Sequence, residues 1–127
     1  MSTSCKVIFN ENEFINGEEI GVYIHSDGYP EAMIPLLIEF LNCNGAKKRH
    51  NDINYLTSYL TTFMILRKHK NIYKSDLTNL SSLDDFLSVG VTVKDCVVDY
   101  EYIIVYEGDS FVIYICQDDC IIDEVII

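Results

Sequence analysis

A chain of 127 residues that is 49% apolar has the size for one domain with its own core and is too apolar for intrinsic disorder. Its 9 basic and 20 acidic groups leave a net charge of −11, which disfavours direct binding to nucleic acid. No apolar run is long enough for a membrane span, so a soluble protein is expected.

The opening Met1-Ser2-Thr3-Ser4-Cys5-Lys6 has no basic stretch followed by an apolar one, which argues against secretion. The five cysteines (5, 43, 96, 116, 120) are odd in number and lack framework spacing; reduced thiols in a cytosol are expected.

In chain order, residues 5–10 read as a strand, and Asn16-Gly17 is a hairpin-turn signal, since both turn positions need positive φ. Residues 20–25 return as a second strand, with Ile20, Val22 and Ile24 on one face and Tyr23 and His25 on the other. Ser26-Asp27-Gly28-Tyr29-Pro30-Glu31 is then a polar corner. Gly28 has conformational freedom there, Pro30 suits a first helical turn and Glu31 suits the positive end of a helix. The helix runs to about Asn42, with Pro35 implying either a separate turn over 30–34 or a start near Ile34.

A basic loop, Ala46 to Asn51, leads to a second helix over about 53–70, capped by Asp52. Ile53, Leu56, Leu60, Phe63, Met64 and Arg67 recur at helical spacing. Residues 71–82 look irregular, 82–88 suit a short helix, and Gly90 punctuates. Segments 96–106, 111–116 and 120–127 then form an antiparallel meander. The expected fold is a single α+β domain over 1–127: an antiparallel sheet, made of an N-terminal hairpin and a three-strand meander, with two main helices on one face. The other face is apolar enough to suggest a homodimer.

Charge is unevenly distributed. Residues 1–82 carry 8 Lys/Arg and 9 Asp/Glu, whereas residues 83–127 carry 1 Lys and 11 Asp/Glu. An acidic end of this kind attracts a basic protein surface or simply confers solubility.

Three constellations carry possible chemistry. Tyr23, His25, Asp27, Tyr29 and Glu31 form a site if Asp99 and Glu101 lie beside them, with His25 as acid, base or ligand; otherwise each has a structural role in the corner. Lys47, Lys48 and Arg49, with Tyr55 and Tyr59, suit a phosphate and a stacked base, or form a solvated loop. Cys116 and Cys120 have a metal-like spacing but no second ligand pair, so no metal and no cofactor are expected. No nucleophile elbow, P-loop or dinucleotide fingerprint is present.

The run Tyr23-x-His25-x-Asp27-Gly28-Tyr29-Pro30-Glu31 resembles a Y-x-H-W-D-G-Y-P-E motif of small phage and prophage proteins, with Ser26 where that family has Trp. Asp99-Tyr100-Glu101-Tyr102-Ile103-Ile104-Val105-Tyr106 resembles the same family's D-I-E-Y-L-Y strand, and the likeness covers about residues 20–106. It implies a phage or prophage accessory protein in a bacterial cytosol. On that basis the expected function is binding to, and inhibition of, a host defence protein through an acidic surface. Sequestration of a nucleotide ligand and a small His/carboxylate hydrolase are the alternatives.

Overall fold

Strand β1 (Cys5–Asn10) is the axis of the fold, with β2 (Ile20–Ile24) antiparallel on one side and β4 (Tyr100–Glu107) parallel on the other. The computed structural model describes residues 3–10, 20–68, 89–93 and 97–127. Beyond β2 lies β3 (Val89–Val93); beyond β4 lie β5 (Ser110–Gln117) and β6 (Cys120–Ile126). The six strands form one sheet in the order β3-β2-β1-β4-β5-β6. Between β2 and β3 run α1 (Pro30–Leu41), α2 (Asn44–Lys48) and α3 (Ile53–Lys68).

The α+β class and the helices against one face match the sequence reading. The all-antiparallel sheet does not: the parallel β1–β4 pair fuses hairpin and meander into one mixed sheet. β3 is a further strand, in which Gly90 lies opposite Tyr23 in the ladder rather than ending an element. Val89, Val91 and Val93 gave an alternating β-branched signal for it. The Asn16-Gly17 turn and the segments 71–82 and 82–88 lie outside the described residues, as do Lys70 and Cys96.

Period-two alternation assigns the two faces. Cys5, Val7 and Phe9 of β1, Val22 and Ile24 of β2, Tyr102 and Ile104 of β4 and Phe111, Ile113 and Ile115 of β5 face the helices. Against them pack Met33, Leu37, Phe40 and Leu41 of α1 and Leu56, Leu60 and Met64 of α3. Phe40 joins the layers, its ring centroid 6.3 Å from Phe9 and 5.5 Å from Phe63. On the opposite face Ile8, Ile103, Val105 and Val112 are also buried.

Pro35 neither breaks α1 nor delays its start. The helix runs unbroken from Pro30, and Pro35 forgoes the bond its N–H would make to Glu31. α1 ends at Leu41, close to the expected end near Asn42, but Ala46 to Lys48, read as the start of a basic loop, belong to the short α2. Asp52 caps α3 as expected, its Oδ1 accepting the Tyr55 N–H at 3.4 Å. Arg67 pairs with Glu39 of α1, tying the two long helices together on their exposed side. No helix among the described residues is long and apolar enough to cross a membrane.

Candidate functional site: a structural clasp beside an acidic cleft

At the corner after β2, Asp27 takes the left-handed conformation, with φ 57°. Gly28, expected to supply that freedom, has a different reason to be glycine. A Cβ on it would sit 2.8 Å from Cys5 Cβ, from the Cys5 nitrogen and from the Ser4 carbonyl carbon. The corner therefore lies flush against the start of β1, where only glycine fits. The Gly28 N–H donates to the Thr3 carbonyl at 2.8 Å. The Gly28 carbonyl accepts the buried Tyr102 hydroxyl at 2.6 Å. Next, the Tyr29 carbonyl accepts the Ala32 and Met33 N–H groups, Pro30 occupies the first helical position and Glu31 lies in the first turn.

Tyr102 lies on β4, so the corner and the β4 strand meet at Gly28. Burial, and then the Cys5, Tyr100 and Glu31 groups, push the Tyr102 phenol well above its ordinary pKa. Asp99 completes the clasp: its Oδ2 accepts the Ser4 N–H at 2.9 Å and the Ser4 hydroxyl at 3.3 Å.

His25 is exposed, and its Nδ1 lies 3.0 Å from the Tyr23 hydroxyl. The ladder places Tyr23, Lys6 and Glu101 in one row across the open face; the next row, past the end of β2, runs His25, Ser4, Asp99. Asp99 and Glu101 thus share a face with Tyr23 and His25 but are separated from them by β1, about 10 Å for two strand spacings. Each is engaged by the intervening strand, Asp99 by Ser4 and Glu101 by Lys6, whose Nζ is 3.5 Å from Glu101 Oε2. Asp27 is exposed at the bend and Glu31 on the helix. No hydrogen bond joins His25 to any of these carboxylates among the described residues.

Lys47 and Lys48 end α2, exposed. The Arg49 guanidinium lies 4.3 Å over the Tyr55 ring and 3.7 Å from Asp52. Tyr55 and Tyr59 are tilted neighbours with centroids 5.9 Å apart. A base stacking on Tyr55 has to displace Arg49 or use the other side of the ring. Cys116 and Cys120 fall on opposite faces, since Cys116 pairs with Ile121 and Gln117 with Cys120. Among the described residues no group of His, Cys, Asp and Glu is arranged to hold a metal ion.

The concave feature of this end of the molecule lies next to the clasp. A cleft of about 370 Å³ is lined by Lys6, Val97, Val98, Asp99, Glu101, Cys116, Gln117, Asp118 and Asp119. Four carboxylates and one ammonium line it, and the ammonium is already paired with Glu101. Cys116 is 7% exposed in its wall. Burial, and then the charges of Glu101 and Cys120, push its thiol up to about 11, so it is neutral near pH 7. Such a cleft suits a guanidinium or an ammonium group.

Asp118 and Asp119 reach the rim through the two-residue turn between β5 and β6, where both have positive φ, 52° and 63°. That turn geometry favours Asn-Gly. The antiparallel β4–β5 ladder, continued past the Glu101–Cys116 pair, brings these two residues beside Asp99. Lys6 joins them only through the parallel β1–β4 pairing, which no sequence signal announced. Comparison with family models, curated proteins and solved structures finds no match to this chain.

Proposed function

We propose that this chain is a binding protein, not a catalyst, and that it inhibits a host protein by holding a basic surface against the acidic end of its sheet. The observation that carries this reading is the cleft, with Asp99, Glu101, Asp118 and Asp119 around one already paired lysine. A second feature supports it. Two aspartates occupy a turn whose backbone disfavours side chains, a local sacrifice of stability of the kind that accompanies function. The phage and prophage resemblance of the two clasp stretches supplies the context: an accessory protein in a bacterial cytosol, directed at a defence protein.

The test separates fold from recognition. The double substitution Asp118→Asn and Asp119→Gly gives the turn its favoured residues and removes two charges. It is expected to stabilise the fold by about 0.5–1 kcal/mol in urea unfolding. The same variant is expected to weaken capture of the partner from bacterial lysate at low salt, and wild-type capture is expected to fall as salt rises. A partner held equally by wild type and variant, with no dependence on salt, would contradict the reading.

A further inference from the structure

β6 ends the sheet, and no described strand pairs with its outer edge. It is seven residues long, with Ile121, Ile122 and Ile126 between 51% and 68% exposed. The Ile127 N–H donates inward to the Phe111 carbonyl at 2.9 Å. Alternation along an antiparallel ladder then directs the Val125 N–H inward and the Glu124 and Ile126 N–H groups outward, where the Glu124 N–H donates to Asp123 Oδ1 at 2.8 Å. An exposed, mainly apolar edge of this length is a template for another strand.

Its charge selects the strand. Asp123 and Glu124 lie in the middle of β6, opposite Ile115 and Tyr114 and therefore on opposite faces of the edge. Antiparallel pairing of two copies about this centre sets carboxylates against carboxylates, and each copy brings a net charge of −11. The extra residue at Ile122, where the register slips between Ile115 and Cys116, further impedes flat self-pairing. An extended segment with Lys or Arg opposite Asp123 and Glu124, flanked by apolar residues, meets no such penalty. The Asp118-Asp119 turn leads straight into β6, so a segment paired there runs past the rim of the cleft.

We propose that β6 is a docking edge for an extended basic segment of a partner protein, which adds as a seventh strand. This rests on the acidic-surface reading above and specifies how the partner is held. The experiment is amide hydrogen exchange by NMR on the intact protein with three blocked peptides. They are Thr-Val-Lys-Val-Arg-Val-Thr, the same peptide with Glu for Lys and Arg, and the basic peptide with Pro for its central valine. The basic peptide is expected to slow exchange at Ile126 by roughly tenfold or more when saturating, with Val125 slow throughout. The acidic and proline peptides are expected to leave Ile126 fast.

Glu124→Lys is expected to abolish protection by the basic peptide while Val125 still reports an intact sheet. Three results overturn the proposal: no protection with the basic peptide, equal protection with the proline peptide, or protection that grows with protein concentration alone. The last identifies a second copy as the occupant. If partner capture remains salt-dependent while the peptides fail, only this docking mode is lost; if salt dependence also fails, the acidic-surface reading falls with it.

Discussion

Gly28→Ala is expected to lower the midpoint of thermal unfolding by roughly 10 °C, the larger effect expected from one methyl group at this corner. The new Cβ would meet Cys5 Cβ, the Cys5 nitrogen and the Ser4 carbonyl carbon at 2.8 Å, and two of these are main-chain atoms of the sheet's axis. A flexible side chain could swing away, but this backbone is held by β2 on one side and β4 on the other. Overpacking of this kind costs about 1–3 kcal/mol, and an unyielding neighbour puts it at the upper end. The shift also strains the Gly28 bonds to Thr3 and Tyr102. Thermal unfolding followed by circular dichroism checks it; a midpoint within a degree or two of wild type would show that the corner does not sit flush on β1.

Tyr102→Phe is expected to destabilise by about 1–3 kcal/mol in urea unfolding, because it leaves the buried Gly28 carbonyl without its donor. It should also change the response to alkali. The folded-state pKa of Tyr102 lies above its unfolded value, so the folded protein retains a proton that the unfolded chain gives up. Its contribution is complete below about pH 10, the unfolded tyrosine value, and is lost as pH rises beyond it. Wild type should therefore lose up to about 1.4 kcal/mol per pH unit from this group above pH 10, a component absent from the phenylalanine variant. Equal pH slopes for the two proteins between pH 10 and 11 would show that the phenol is not held neutral by the fold.

Both substitutions address the same physical unit, and that unit accounts for the sequence pattern better than chemistry at His25 does. Asp27 supplies a left-handed bend, Gly28 a close approach, Pro30 and Glu31 a helix start, Asp99 an anchor for Ser4 and Tyr102 a buried donor. Each residue type has a steric or hydrogen-bonding reason. Tyr23 and His25 bond to each other at the surface and take no part in that inventory.

What could be read from the sequence was what depends on local interactions. Alternation located β1, β2, β4, β5 and β6, helical spacing located α1 and α3, and Asp52 marked a helix start. What escaped was non-local. The parallel pairing of β1 with β4 leaves no mark in either strand, yet it places Ser4 beside Asp99 and Lys6 beside Glu101. It thereby sets β1 between the Asp99 and Glu101 carboxylates and the imidazole. The role of Gly28 was misassigned for the same reason, since the atoms that forbid a side chain there belong to Ser4 and Cys5, more than twenty positions earlier.

The measurement that bears most directly on the division between a structural corner and a binding acidic end is partner affinity at low salt for two folded variants, His25→Ala and the Asp118→Asn, Asp119→Gly double substitution. The expected result is wild-type affinity for His25→Ala and a loss of about tenfold or more for the double variant, as for removal of two charges at a steered interface. The reverse pattern, with affinity lost on removing the imidazole and kept on removing the two carboxylates, would contradict the account.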